Sequence, residues 1–267
     1  MRCALALAAG LALAGPLAAQ EIVTVSAREG ATQSFFLADM GAVKREAVAL
    51  LFIGGGGNIN LRMEEGRVRF GANNFLPRAR AEFIRNGIQP VIMDVPSDQN
   101  TSGGMGDGFR MGEAHLADVR AAVAEVKKRF PGLPVFLVGT SRSTVSIAYL
   151  AKRMAPDEVK GAVLTSSLFR AGTGPRAAPM LGAFDWSEAK LSLLFVHHRD
   201  DACGATPYAT AASLAARFPL VSVKGGKPPE SGPCDPFHAH GFWGMEAPTV
   251  DAIASWMLGK PFQKEIE

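Results

Sequence analysis

The sequence predicts an α/β chain: a doubly wound, mostly parallel sheet with helices on both faces, opened by an antiparallel pair of strands. Three observations carry this. Residues 47–53 form a nearly uninterrupted apolar run, as expected of a strand buried on both faces in a sheet covered by helices. Leu116, Val119, Val123, Val126 and Phe130 recur at helical spacing, which gives that segment one core-facing side. Strand-like and helix-like segments alternate along the chain, the pattern of repeated βαβ units.

In order, residues 22–27 and 32–37 read as a hairpin turning through Arg28-Glu29-Gly30, followed by the buried strand 47–53. A helix over 76–85, a strand over 90–93 and a helix over 115–130 come next. Residues 134–138 then form a short apolar strand, and 144–154 carry Val145, Ala148, Tyr149 and Ala151 on one helical face. Strands over 159–164, 191–196 and 219–223, with helices over 206–218 and 249–258, complete the series.

The N-terminus has one early positive charge at Arg2, an apolar centre over 4–17 and the small residues Ala18-Ala19 before Gln20. Residues 1–19 read as a secretory signal peptide, cut near Ala19, which leaves 20–267 as one domain, exported to a periplasm or secreted. The apolar run is shorter than the ~20 residues of a membrane span, and no other segment approaches that length, so no stable membrane anchor is expected. Cys3 lies too early to carry a lipid. Removing the leader leaves Cys203 and Cys234, and an oxidising compartment favours pairing them. The formal charge of +3 becomes +2 without Arg2 (27 Lys+Arg against 25 Asp+Glu). Such a balance implies no nucleic-acid partner, and pairs such as Lys127-Lys128 read as a solvated helix face. Oligomeric state is not legible.

In this architecture ligands gather where strands end. The strand 134–138 runs into Gly139-Thr140-Ser141-Arg142-Ser143, a serine between small residues with a helix following. That is the setting of a nucleophile elbow, in which a strained turn lifts the hydroxyl above the sheet and the next N–H can bind an oxyanion. The pattern is G-x-S-x-S, with Ser143 where a second glycine is usual. Gly54-Gly55-Gly56-Gly57-Asn58 follows the 47–53 strand and frees backbone N–H groups to approach an anion. It lacks the Lys-Ser/Thr ending of a P-loop and the spacing of a dinucleotide site, so an oxyanion is the expected guest and no cofactor is implied.

A serine nucleophile needs a histidine base and a carboxylate to hold its tautomer. Of five histidines, His115 reads as exposed or capping, and at most one of His197 and His198 can face a site because adjacent strand residues point oppositely. His238 and His240 share the loop before the last helix. Asp200 and Asp201 follow the 191–196 strand, which makes the chain order Ser, Asp, His. Asp98 and Arg110 flank the glycine-rich segment 101–108, as substrate contacts or as loop solvation.

On Gly54-Gly55-Gly56-Gly57, Gly139-Thr140-Ser141-Arg142-Ser143, His198-Arg199-Asp200-Asp201 and His240-Gly241-Phe242, the chain resembles the α/β-hydrolase superfamily over essentially the whole of 20–267, and most of all its compact exported members. The resemblance implies a Ser141 nucleophile, an Asp201 acid, a His240 base, and oxyanion donors from the Arg142 N–H and a glycine near Gly55. Asp200 and His238 remain the alternatives for acid and base. A Cys203–Cys234 bridge would tie the acid loop to the base loop and stabilise the fold by about 3–4 kcal/mol.

The segment between Phe169 and Leu191 is too short for a large lid, which suggests an open site for a small ester, thioester or amide. Pro175, Met180, Leu181, Phe184 and Trp186 either wall that site or pack over the core. A metal-dependent hydrolase built on His238, His240, Asp200 and Asp201 is the rival enzyme class, since histidines two apart can share an ion; it leaves the elbow unused, and no metal is expected. A non-catalytic binding module on the same scaffold is the third reading.

Overall fold

The computed structural model describes residues 20–174, 177–178 and 180–267. The expected leader with Cys3, and Pro175 of the expected wall, lie outside them.

β1 (Glu21–Arg28) and β2 (Ala31–Leu37) form the antiparallel opening hairpin, with a register shift between Ser26 and Arg28. β3 (Ala47–Phe52) is followed by a small separate hairpin of β4 (Arg62–Glu64) and β5 (Arg67–Arg69) that the sequence did not suggest. The expected helix 76–85 is two pieces, α1 (Phe75–Arg78) and α2 (Arg80–Arg85), interrupted at Ala79, whose ψ is 7°. β6 (Ile88–Met93), α3 (Asp107–Arg110), α4 (Glu113–Arg129), β7 (Val135–Thr140), α5 (Ser143–Arg153), β8 (Gly161–Thr165) and β9 (Ser192–His198) follow. α6 (Tyr208–Leu214) starts later than expected because Pro207 caps it and Thr206 turns its hydroxyl to Asp201 instead, and it ends earlier, in a turn where the Arg217 and Phe218 N–H groups both donate to the Leu214 carbonyl. After β10 (Leu220–Val223), α7 (Glu246–Met257) starts earlier than expected. Pro248 fits in its first turn, where no N–H is required. β11 (Glu265–Ile266) adds a short edge.

The main sheet has nine strands in the order β1-β2-β6-β3-β7-β8-β9-β10-β11. β2 runs antiparallel to both neighbours, and every pairing from β6 to β11 is parallel. Alternation along β3 shows why both faces are buried: Val48, Leu50 and Phe52 join a core with α4 and α5, whereas Ala47, Ala49 and Leu51 join a core with α1, α2 and α7. In α4, Leu116, Val119, Val123 and Val126 are buried as their spacing requires. Since β3, β7, β8 and β9 run parallel, the glycine run, the turn at Ser141, Ser166 and the loop that carries Asp201 all emerge at one edge of the sheet. No described helix is long and apolar enough to cross a membrane.

Candidate active site

Ser141 follows β7 directly and adopts φ 55°, left-handed for a residue with a Cβ. Its N–H donates to the Thr165 carbonyl at 3.0 Å, and its own carbonyl accepts from the Thr144 N–H at 3.0 Å and the Thr144 hydroxyl at 2.6 Å. Glycine at 139 is obligatory, because a Cβ there would collide with Ile147 and meet Ser143 Oγ at 3.0 Å. Ser143 fills the place of the second glycine with a fully buried hydroxyl that accepts from the Thr140 N–H (2.8 Å) and donates to the Phe52 carbonyl (2.6 Å). The departure from the usual motif is therefore a cross-link between the elbow and β3.

Gly54 approaches so closely that a Cβ on it would stand 3.0 Å from Ser141 Cβ. Gly55, at φ 60°, lines the same cavity as Ser141. Among the described residues the N–H groups of Gly55 and Arg142 donate to no protein acceptor. Arg142 is not itself among the residues lining the cavity; its side chain turns to Asp107 at 2.7 and 3.1 Å.

The structure brings Asp201 and His240 together. Asp201 Oδ2 accepts from His240 Nδ1 at 3.0 Å and from the Thr206 hydroxyl at 2.8 Å, and Oδ1 accepts from the Cys203 N–H at 2.9 Å. Burial pushes this carboxyl up, but the bonds from His240, Cys203 and Thr206 outweigh burial and hold it below the usual carboxylate range. With Nδ1 donating to Asp201, the other ring nitrogen, Nε2, carries the lone pair. That Nε2 is buried and has no partner among the described residues. His240 and Ser141 line one cavity of about 220 Å³ with Gly54, Gly55, Asn74 and Asp235; no hydrogen bond joins the two side chains.

The loop that carries His240 is held from several sides. Ser166, strained at φ 45°, donates its hydroxyl to the His240 carbonyl at 2.8 Å. Arg78 Nη2 donates to the Gly241 carbonyl at 2.7 Å, its Nη1 to the Asn73 carbonyl, and the guanidinium pairs with Glu246 at 2.8 Å. Cys203 and Cys234 form a disulfide, and Cys234 borders the cavity. Ser166, Arg78 and Thr206 carried no signal in the sequence: the first two act through backbone partners remote along the chain, and Thr206, five residues after Asp201, reads as an ordinary turn residue.

The remaining candidates lie elsewhere. Asp200 is exposed and its N–H donates to His198 Nδ1 at 3.1 Å. His238 does not border the cavity; its carbonyl accepts from the Gly241 and Trp243 N–H groups. Both His197 and His198 are buried: His197 Nε2 accepts from the Ser167 N–H at 2.8 Å, and His198 Nε2 donates to the Gly225 carbonyl at 3.0 Å. Among the described residues no three His, Cys, Asp or Glu side chains stand close enough to share an ion. Met180, Leu181, Phe184 and Trp186 pack over the core rather than walling the cavity; the Phe184 and Trp186 rings are 4.7 Å apart. Asp98 is not at the cavity either, because it pairs with Arg28 at 2.7 Å. Arg110, expected at a substrate or in solvent, is buried beneath the glycine run.

His115 corrects the sequence reading most plainly. It is 1% exposed on the inner side of α4, against Phe52 and Phe109. Burial holds both His115 and His197 down at about 3. Each therefore stays neutral in the fold and takes up a proton on unfolding once the pH drops below its ordinary value of ~6.5. Between those limits the unfolded chain binds more protons, so their contribution is intact above about pH 6.5 and is lost as the pH falls toward 3. Thermal unfolding followed across this range is expected to show Tm falling with acid. His115→Phe should flatten part of that fall, and an unchanged slope would locate the acid sensitivity elsewhere.

Comparison with known proteins places the chain in a family. The profile described as serine aminopeptidase, S33, matches residues 78–216, just over half of the chain. The chain belongs to this family of α/β hydrolases. Solved structures agree with its architecture. A lidless α/β serine hydrolase from Xanthomonas campestris superposes with a TM-score of 0.57 at 14% identity, over 91% of this chain and 98% of that one. A soluble variant of the monoglyceride lipase of Saccharomyces cerevisiae, in complex with a substrate analogue, gives 0.60 at 12% over 91% and 96%. An α/β serine hydrolase homologue from Coxiella burnetii gives 0.56 at 11% over 92% and 99%. No curated protein matches the sequence. At these identities the structures establish the fold of this S33 hydrolase.

Proposed function

We propose that this S33 hydrolase is a serine esterase acting through an acyl-enzyme on small substrates. The observation that carries the reading is the free, buried Nε2 of His240 in one cavity with Ser141, its other nitrogen donating to Asp201. In this mechanism Nε2 takes the Ser141 proton as Oγ attacks the carbonyl carbon, and Asp201 stabilises the imidazolium that forms. The Gly55 and Arg142 N–H groups bind the oxyanion. The imidazolium then protonates the leaving oxygen. Water repeats the sequence on the acyl-enzyme and restores the serine.

A cavity of about 220 Å³ lies below the roughly 300–1,000 Å³ of pockets that enclose drug-sized ligands, which favours a short acyl group. We read residues 20–267 as one exported domain behind the 1–19 leader; the Cys203–Cys234 bond supports that compartment. A fluorophosphonate probe is expected to label the mature chain on Ser141, and a panel of chromogenic esters, thioesters and aminoacyl amides to rank the leaving groups. Labelling undiminished in Ser141→Ala would sink the assignment. A wild-type chain that neither labels nor turns over any member would point to a binding module.

A further inference from the structure

We propose that Arg110 is the positioning residue of the oxyanion loop, a buried cation that fixes the Gly55–Gly56 peptide and favours negative charge beside it. This rests on the serine-esterase reading. Gly54 to Gly57 is four glycines in a row, a segment with no side chain of its own to anchor it and with the widest conformational choice a chain offers. Arg110 supplies an anchor from outside. It ends α3 with 1% exposure, donates from Nη2 to the Gly55 carbonyl at 2.9 Å and from Nη1 to Ser146 Oγ in α5 at 3.1 Å. Gly57 makes the room: at φ 90° it has no Cβ, and one built there would stand 3.2 Å from Nη2.

Holding the Gly55 carbonyl fixes the whole peptide plane. Every peptide bond described is trans, so the Gly56 N–H must point opposite to that carbonyl. A flip of this peptide would break the Arg110 bond and rotate the backbone beside the free Gly55 N–H.

The charge is as notable as the bond. Buried guanidinium groups ordinarily meet a carboxylate, yet among the described residues no Asp or Glu makes an ion pair with Arg110, and its Nε has no acceptor. Asp107, on the same helix, is held by Arg142 instead. His115 alongside is neutral and offers no counter-charge. Burial and repulsion from Arg142 outweigh the attraction of Asp107 and lower Arg110 to about 10, which leaves it protonated at neutral pH. A buried cation without an ion-pair partner, one peptide away from the proposed donor, strengthens binding of an anion that develops only during reaction.

The test uses the full mature chain with p-nitrophenyl acetate, scaling every rate to the Ser141 sites titrated by fluorophosphonate. Arg110→Met is expected to lower kcat about 30-fold or more with KM within about threefold, and to slow labelling by the same factor, since only transition-state binding is lost. Arg110→Lys, which keeps the charge, should recover much of it. Ser146→Ala frees one nitrogen and is expected to cost about threefold; it decides the matter if Arg110→Met does not fold. A purely structural arginine would reduce the number of titratable sites and leave the rate per site unchanged, and that result in Arg110→Met or, failing its folding, in Ser146→Ala overturns the proposal while leaving the esterase reading intact. A wild-type chain without Ser141-dependent labelling overturns both.

Discussion

His240→Ala is expected to lower turnover of a small ester by about 10⁴- to 10⁶-fold, while His238→Ala stays within a few-fold of wild type. The contrast follows from position. His240 borders the cavity with a free Nε2, whereas His238 contributes backbone carbonyl bonds to the turn that carries its neighbour. The matching pair is Asp201→Ala, expected to cost about 10⁴-fold, against Asp200→Ala, which removes an exposed side chain and should be mild. Steady-state kinetics with a folding check on each variant decides both pairs. If His238→Ala abolishes turnover and His240→Ala spares it, the base is misassigned. Near-normal rates in all four would overturn the serine mechanism itself.

Opening the Cys203–Cys234 bond should reduce stability and turnover together. The bond closes a sequence separation of 31 residues, worth about 3–4 kcal/mol in the chain-entropy account. In a chain of this size that corresponds to a Tm lower by roughly 7–15 °C. Activity should fall at temperatures where the reduced protein is still folded, because the Cys203 N–H is a donor to Asp201 and Cys234 borders the cavity. Calorimetry and kinetics on the oxidised chain and on Cys203→Ala/Cys234→Ala measure both effects. A lower Tm with unchanged kcat would show that the bond serves the fold alone.

What the sequence made legible was what local patterning controls. The apolar run of β3, the helical stripe of α4 and the strand-turn-helix around Ser141 depend on near neighbours, and each lies close to where periodicity put it. The chain order Ser, Asp, His followed from strand ends, the resemblance to the superfamily selected Asp201 and His240 from their pairs, and the structure joins these two by a hydrogen bond. What stayed hidden depends on distant packing. His115 falls on the inner side of α4 next to Leu116, yet imidazole in a helix gives no sign of whether it meets water or, as here, Phe52. Arg110 looked like an ordinary loop cation because its acceptor is a glycine carbonyl 55 residues away. Ser143 looked like a blemish in a motif because its acceptor belongs to β3.

The anchoring of the loop that carries His240 bears on how this region of the chain can change. Between β10 and His240 the chain is exposed from Lys224 to Glu230, but it is fastened at intervals: Lys227 N–H to the Trp243 carbonyl at 3.0 Å, Glu230 N–H to the Phe237 carbonyl at 2.9 Å, and then the disulfide. Pro228 and Pro229 lie between the first two fastenings and offer no N–H to lose. Doubling the length of a flexible loop costs only about 0.6 kcal/mol of closure entropy. New residues inserted at that dipeptide can therefore lengthen this segment while the fastenings on either side hold His240 in its place, so the chain can grow here without moving the histidine.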